Sequence, residues 1–298
     1  MSSKLYIFKQ GDYKKTGDFL WKKDSMACED CLLGMYVWKE RYGFRLIQTS
    51  DSSFVYSEAD DTFMVPVPFL TREALGKMKR ISPQPVLVRV TEKHKEFIEQ
   101  NFRGLFDFEE DPGSFDYIYD IEKMATLSGK KLAKKRNHVN GFISTYDDWH
   151  VEQLSFHNLL KCRDFLKLWY ADRLENSGSH GKESLLAEKN SLFNVLENLD
   201  GIMADGLVLF VGKKVVALTI GQRISSHTYD VVFEKADECV KGAYNMINRE
   251  FARYIMETYP DVKYLNREND LGIEGLRRAK NSYRPVFLLK KYIAVYNG

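Results

Sequence analysis

Residues 206–234, GLVLFVGKKVVALTIGQRISSHTYDVVFE, decide the fold of this chain. Apolar and β-branched residues fill three runs of the stretch, and polar turns separate the runs, which is the pattern of three consecutive strands. The runs cover 206–211, 214–223 and 227–234. A segment with apolar residues at helical spacing follows at 242–259 and is closed by Pro260, so the sequence predicts three strands and then a long helix.

The elements on either side extend this core over residues 146–298. A strand at 151–156 and two helices with apolar faces precede the three strands. A strand at 262–265, a short helix at 272–281 and a strand run at 286–295 follow the long helix. The resulting order, β-α-α-β-β-β-α-β-α-β, is similar to that of the GNAT acyltransferase fold.

The first half of the chain predicts nearly the same order from its first helix onward. That helix, at 28–42, ends at Gly43, and a meander of three short strands follows it. Two copies of one topology indicate an internal duplication. We therefore predict an α/β (α+β) protein with two tandem GNAT-like domains, each a mixed central sheet flanked by helices. The N-terminal domain is predicted at 1–145 and includes a basic connecting helix, and the C-terminal domain at 146–298 is predicted to carry the active site.

The composition is that of a globular protein with nearly balanced charge. Of 298 residues, 44 are Lys or Arg and 42 are Asp or Glu, so the net charge of +2 excludes a wholly basic nucleic-acid coat but allows a local basic patch. The longest purely apolar run lies near 207–211, far short of the ~20 residues of a membrane-spanning helix. The first residues, MSSKLYIFKQ, lack the apolar region of a signal peptide. We expect a cytoplasmic protein without integral membrane association.

Cys28 and Cys31 form a Cys-x-x-Cys pair, which is the spacing of half a zinc site or of a redox pair. No second pair completes a tetrahedral set, and the polar residues before Cys28 predict no strand of the kind that precedes a thioredoxin-type motif. The six histidines are scattered and show no metal-binding spacing. We therefore predict reduced thiols and no metal site.

Three stretches carry a resemblance to a known family. They are TLSGKKLAKKRNHVN at 126–140, KADECVKGAYN at 235–245 and LNRENDLGIEGLRRAKNSY at 265–283. Together they resemble a bacterial family of unknown function that is named for its similarity to the C-terminal domain of phosphatidylglycerol lysyltransferase, and the resemblance covers most of the chain. It implies two tandem GNAT domains. Because the lysyltransferases and the related peptidoglycan aminoacyltransferases use aminoacyl-tRNA, it also implies an aminoacyl donor.

Two departures from the lysyltransferase argue against lipid lysylation. The chain lacks the multi-span membrane half that delivers lipid. Its charged run at 266–270 is also one to which we do not assign the role that a lipid-modifying enzyme would give it. We therefore expect an acceptor other than lipid.

The turn before the long helix is where acetyl-CoA-dependent GNAT enzymes carry a Gln/Arg-x-x-Gly-x-Gly/Ala motif, whose backbone N–H groups hold the pyrophosphate. The aligned residues 238–243, ECVKGA, lack the leading basic residue and the first glycine, and only Gly242 and Ala243 match. Lys235 can still attract phosphate. Three interpretations stay open: a working CoA site, a degenerate turn in an enzyme with another acyl donor, and a plain helix start.

The basic helix predicted within 121–143 offers a second binding surface. Lys131, Lys134 and Lys135 fall on one face at 100° per residue, which suits contact with several phosphates of tRNA or of a nucleotide. Arg136 is placed with these lysines in the predicted phosphate-binding set, and Asn137 in the predicted substrate-binding set. The alternatives are a solvated helix between domains and a buried interdomain role for Arg136 and Asn137.

The segment 266–283 places mixed charge at the end of a strand, where open α/β folds bind ligands. Arg267 is predicted to clamp a carboxylate or a phosphate. Glu268 and Asp270 are predicted to hold a substrate amine or to act as a base. The alternative is a set of charge pairs that cap a helix.

The end of the same segment adds two basic residues and a tyrosine. Arg277 and Arg278 extend the predicted substrate-binding set, and Arg136, Arg267 and Arg278 are expected to border one cleft. By resemblance to GNAT enzymes, Tyr283 is the candidate acid that protonates the leaving group, with packing in the core or cleft wall as the alternative.

These features together predict an acyltransferase or aminoacyltransferase. It would move an acyl group from aminoacyl-tRNA or acyl-CoA to an amine or hydroxyl of a small-molecule or aminoacyl acceptor, without a tightly bound cofactor. The alternative is a non-catalytic GNAT-fold module that binds RNA or a small anionic metabolite.

Overall fold

The computed structural model describes residues 25–176 and 178–298, which form two mixed β-sheets with helices packed against them. The strands are β1 (Phe44–Gln48), β2 (Ser53–Ser57), β3 (Thr62–Met64), β4 (Val86–Thr91), β5 (Phe106–Glu110), β6 (Asp116–Asp120), β7 (Trp149–Gln153), β8 (Asp205–Val211), β9 (Lys214–Arg223), β10 (Thr228–Ala236), β11 (Tyr264–Asn266), β12 (Phe287–Leu289) and β13 (Lys291–Tyr296). The α-helices are α1 (Leu32–Tyr42), α2 (Arg72–Ile81), α3 (Glu92–Asn101), α4 (Ile121–Thr126), α5 (Ala133–Thr145), α6 (Leu159–Glu175), α7 (Ser179–Glu197), α8 (Leu199–Ile202), α9 (Ala243–Thr258) and α10 (Glu274–Asn281). Within the described ranges, no helix has both the length and the apolar character needed to cross a bilayer.

The stretch at 206–234 forms the predicted meander, in which β8 pairs with β9 and β9 with β10, both antiparallel. Alternate side chains of β8 enter two different cores. Val208 and Phe210 pack on the face covered by α6 and α7, whereas Leu207 and Leu209 pack on the face covered by α9. Helices cover both faces of these strands, which explains why their sequences are apolar almost throughout.

The two sheets exchange strands across the middle of the chain. The six-stranded sheet has the order β1-β2-β3-β4-β13-β5, and the seven-stranded sheet has the order β12-β6-β11-β10-β9-β8-β7. The C-terminal strand β13 therefore lies inside the sheet of the first half, and β6 lies inside the sheet of the second half. The domain boundary at 145/146 stays a prediction, but the sheets do not follow it strictly.

Two segments predicted as single elements are each two elements. The predicted helix at 121–143 is interrupted after α4, because Leu127 and Gly129 adopt positive φ values of 52° and 85°. The predicted strand run at 286–295 divides into β12, which pairs with β6, and β13, which pairs with β4 and β5. Hydrophobic patterning predicts that a strand exists but not which sheet it joins, so only the folded chain reveals the exchange.

The parallel strands β10 and β11 separate soon after they meet. They pair over three residues only, Thr228–Asp230 with Tyr264–Asn266. β11 then ends, whereas β10 continues to Ala236 and leads into the turn before α9. The resulting gap, which we call the opening, exposes one edge of β10 to the segment that follows Asn266.

Gly242 precedes α9 in the left-handed region, at φ 85°, and packs directly on α5. A Cβ at this position would lie 2.7 Å from the carbonyl oxygen of His138 and 3.0 Å from Cβ of Phe142. We expect Gly242→Ala to lower the free energy of unfolding by about 2–4 kcal/mol, because a steric clash adds to backbone strain.

Gly129 provides the control for this substitution. Its φ is also 85°, but an added Cβ would meet no atom within 4 Å. Urea unfolding should therefore show a smaller loss for Gly129→Ala than for Gly242→Ala. Equal losses would contradict the close packing of the turn on α5.

Candidate active site

A buried ion pair lies at the opening between β10 and β11. Arg267 follows β11, and its Nη2 lies 2.8 Å from Oε1 of Glu234 on β10. The other carboxylate oxygen of Glu234 accepts a hydrogen bond of 2.9 Å from Nδ2 of Asn248 on α9. Both oxygens of Glu234 are therefore held, and the guanidinium is fixed at the edge of the opening.

Tyr283 and Lys135 complete this group. The Arg267 guanidinium lies 5.0 Å from the ring centre of Tyr283, and Nζ of Lys135 lies 4.0 Å from the same centre. Nδ2 of Asn245 donates to the Tyr283 hydroxyl at 2.5 Å. The structure thus brings three predicted site residues around Glu234, one from α5 and two from the segment 266–283. We call Lys135, Glu234, Arg267 and Tyr283 the opening cluster.

Burial changes the proton affinities in the opening cluster. It lowers the pKa of Lys135 to about 8, and the positive charges of Arg267 and Lys134 add to the effect. It raises the pKa of Tyr283 to about 12, against the opposing influence of Arg267. Near neutral pH the tyrosine is therefore a neutral phenol, and the lysine loses its proton more readily than an ordinary lysine does.

A second group of charges is buried where the two sheets meet. Nζ of Lys291, on β13, lies 2.7 Å from Oδ1 of Asp116 on β6 and 2.6 Å from Oε2 of Glu29. Sγ of Cys28 lies 3.5 Å from the same ammonium. Cys28, Glu29 and Asp116 have the donor types and spacing of a metal site, but the ammonium of Lys291 contacts all three. A lysine thus supplies the cation there, and the absence of a metal stays a prediction.

Glu268 and Asp230 add to this group. The pKa of Glu268 is raised to about 8, chiefly by burial and also by Asp116 and Glu29, against the opposing charges of Lys280 and Lys291. Burial also raises the pKa of Asp230 well above its usual range, and both its carboxylate oxygens lack hydrogen-bond partners among the described residues. We call Glu29, Asp116, Asp230 and Glu268 the buried acidic cluster.

Asp270 anchors the loop that leads to α10. It accepts hydrogen bonds of 2.8 Å from Nε of Arg277 and 2.7 Å from the hydroxyl of Tyr117, and a third from the amide of Gly272. Although burial opposes ionisation, the bonds from Arg277 and Tyr117 keep the pKa of Asp270 below its usual range. These contacts hold the loop, and the catalytic role of Asp270 stays a prediction.

The turn before α9 uses its polar groups within the protein. Four of its backbone amides donate to protein oxygens, namely those of Asp237, Cys239, Val240 and Ala243. Glu238 forms an ion pair with Arg173. Lys235 lies 2.6 Å from Oε1 of Glu188 and over the ring of Trp169. These contacts do not test the phosphate-binding roles predicted for Lys235, Gly242 and Ala243, but the Lys235 ammonium and the Ala243 amide already have partners within the protein.

The remaining predicted residues lie outside the opening cluster. Lys131, Lys134 and Asn137 are exposed. Arg136 donates to the carbonyl oxygens of Leu127 and Gly129 and so closes the break before α5. Arg278 is exposed on α10, near Glu274. The shared cleft of Arg136, Arg267 and Arg278 stays a prediction, since each has its own partners.

A family model described as phosphatidylglycerol lysyltransferase, C-terminal, matches residues 23–295. The chain belongs to this family. The match confirms the predicted resemblance, and family and fold together confirm the tandem GNAT-like architecture. The family and fold are those of phosphatidylglycerol lysyltransferase and GNAT-like acyltransferases.

Solved structures and a curated relative extend this comparison. A conserved protein of unknown function from Bacteroides thetaiotaomicron VPI-5482 is similar with a TM-score of 0.88 and 32% identity, covering 97% of this chain and 98% of that one. The structure of L-PGS from Bacillus licheniformis is similar in fold, with a TM-score of 0.65 and 17% identity over 95% of this chain and 91% of that one. An uncharacterized protein of Mycoplasmoides gallisepticum is 27% identical over 184 residues, 60% of this chain. The chain spans 56% of the length of that relative.

Several polar residues at the opening and between the two sheets were not predicted from the sequence. Glu234 lies at the end of the predicted strand at 227–234, and Asn245 and Asn248 lie within the predicted helix at 242–259. A carboxylate in the otherwise apolar run VVFE, followed by two asparagines three residues apart on a helix, was the available signal. Asp116 and Lys291 gave no such signal, because their contact joins the two sheets.

Proposed function

We propose that this protein transfers an aminoacyl group from aminoacyl-tRNA to an amine or hydroxyl acceptor. The observation that carries the proposal is the opening cluster, which places a lysine, an arginine and a neutral phenol where β10 and β11 separate. An opening between two parallel strands admits an extended acyl donor, and fixed positive charge beside it stabilises the oxyanion of a tetrahedral intermediate.

The turn before α9 favours a tRNA donor over acetyl-CoA. Its amides at Asp237, Cys239, Val240 and Ala243 already donate within the protein, so these four are not available to a pyrophosphate. Glu238, which pairs with Arg173, adds negative charge at the same place. Acyl-CoA is therefore the weaker candidate, and the donor enters as a co-substrate rather than as a bound cofactor.

The exposed lysines of α5 and of the turn before it suit the phosphates of tRNA. Lys131 and Lys134 are exposed and lie on the segment that also carries Lys135 of the opening cluster. A tRNA held by Lys131 and Lys134 would bring its aminoacyl end toward the opening. Arg267 would then lie beside the reacting carbonyl, with its position fixed by Glu234.

The donor preference gives a direct binding prediction. Calorimetry should show no acetyl-CoA binding tighter than about 100 μM, or about −5.5 kcal/mol. Aminoacyl-tRNA should bind more tightly, with an affinity that falls steeply as salt rises, and Lys131→Ala with Lys134→Ala should reduce the salt slope by about 2. Lys167→Ala, at an exposed lysine of α6, is the control. A low-micromolar acetyl-CoA constant would make a conventional acetyltransferase the better conclusion.

Transfer itself is tested with tRNA charged with labelled amino acids and a small-molecule cell fraction. Label should leave the tRNA and appear in a new product with wild-type protein, and the rate should fall about 100-fold or more with Arg267→Met. Binding of tRNA without transfer to any acceptor would favour the non-catalytic module instead.

A further inference from the structure

Lys135 is a half-buried lysine without a carboxylate partner in the described part of the chain. The closest acidic influence is Glu234, whose two oxygens are already bound by Arg267 and Asn248. The ammonium instead lies over the ring of Tyr283, which has Arg267 at 5.0 Å from the same ring centre. An amine in such surroundings is desolvated and is not stabilised by an ion pair, although the ring face of Tyr283 favours its charged form.

The charged groups around Lys135 all come from the elements that pack on it. Arg267, from the segment after β11, and Lys134, on the same helix, oppose its positive charge, while Glu234 on β10 favours it. The lowering of the pKa by burial and by the two cations outweighs the effect of Glu234, and the pKa of Lys135 is about 8. Near neutral pH a larger fraction of Lys135 therefore carries a neutral amine than is the case for an ordinary lysine.

Other groups near the opening are less suited to accept a proton. The oxygens of Glu234 are held in hydrogen bonds, and the hydroxyl of Tyr283 already accepts one from Asn245. Glu268 belongs to the buried acidic cluster and faces Asp116 and Glu29. Within the described residues, Nζ of Lys135 forms no hydrogen bond and contacts only the ring of Tyr283.

We propose that Lys135 is the general base of the transferase, rather than one of its phosphate-binding lysines. The inference rests on the proposed function and names the residue that activates the acceptor. The neutral Nζ takes a proton from the acceptor amine or hydroxyl as the acceptor nitrogen or oxygen bonds to the ester carbonyl carbon. The tetrahedral intermediate then breaks its bond to the ribose oxygen of tRNA, and the Lys135 ammonium returns the proton to that oxygen.

A conservative substitution separates this role from phosphate binding. Lys135→Arg keeps the positive charge but cannot release a proton near pH 8. We expect kcat to fall at least about 100-fold, with the KM for aminoacyl-tRNA changed less than about twofold. The wild-type rate should rise with pH through about 8, and the variant should lose this step. Lys123→Arg, at an exposed lysine of α4, should keep the wild-type rate and pH profile.

A second measurement needs no turnover. Reductive methylation with ¹³C-formaldehyde labels the lysines, and the NMR signal missing from Lys135→Arg should titrate near pH 8. Titration near the usual lysine pKa would overturn the role of Lys135. So would a Lys135→Arg variant with the wild-type rate profile or one that loses only donor affinity. A wild-type protein that transfers nothing would instead contradict the proposed function itself.

Discussion

Replacing Lys291 by methionine should lower the free energy of unfolding by about 3–5 kcal/mol. Its ammonium is fully buried between Asp116 and Glu29, which come from different parts of the chain. Although burial favours the neutral amine, these carboxylates raise the pKa of Lys291 above its usual range, so it stays charged in the folded protein. Removing it leaves the fully buried Asp116 carboxylate without its cation, which costs far more than the ion pair itself is worth.

The neighbouring lysine is the matched control. Lys290 forms an ion pair of 2.8 Å with Glu110, but its side chain is 52% exposed while that of Lys291 is 0% exposed. Lys290→Met should leave the unfolding free energy close to that of the wild-type protein, because exposed pairs contribute little. Adding Asp116→Asn to Lys291→Met should recover part of the loss. Similar urea midpoints for Lys290→Met and Lys291→Met would contradict this account.

Stability should fall as pH rises from about 4.5 to about 8. The pKa of Glu268 is about 8 in the folded protein because the side chain is buried near Asp116 and Glu29, whereas the unfolded chain has an ordinary carboxyl. In this window the folded state holds a proton that the unfolded state has released, so stability that is complete below about 4.5 is lost through pH 8. Asp230 acts in the same direction, since burial raises its pKa as well.

Glu268→Gln should flatten this dependence. It removes the ionisation while keeping a similar shape, so we expect the loss between pH 5 and pH 8 to shrink by about 2 kcal/mol. Lys280 has the opposite effect. Burial lowers its pKa in the folded protein, so its effect is a stability that rises with pH and becomes constant above about 10.5. The check is urea unfolding at several pH values, with Glu274→Gln on the exposed face of α10 as control. A wild-type stability that rises from pH 5 to pH 8 would contradict the buried state of Glu268.

Three residues of the opening cluster were predicted from the sequence, and the fourth was not. Lys135, Arg267 and Tyr283 were candidates because of their residue types and their places beside predicted elements. Glu234 was not, since a single carboxylate at a strand end is common. Its importance comes from β11 ending at Asn266 while β10 continues, which leaves the Glu234 side chain facing Arg267.

The roles within the predicted set were also decided by tertiary contacts. Lys131, Lys134 and Lys135 share one sequence pattern, but only Lys135 packs against Tyr283 and Arg267. Asp270 and Glu268 are two residues apart, yet one is held ionised by Arg277 and the other is buried among carboxylates. Burial and neighbouring charge set proton affinity, and neither can be read from spacing.

The sequence by itself determined most of the element order, and with it the duplicated GNAT-like topology. Local patterning is sufficient for this, because each amphipathic helix and each apolar strand must bury its apolar side chains. Only the tertiary structure decided that β13 joins the first sheet and β6 the second. Strand partners lie far apart in the chain, and the ion pair of Asp116 and Lys291 forms only when those two strands bring the side chains together at a fully buried position.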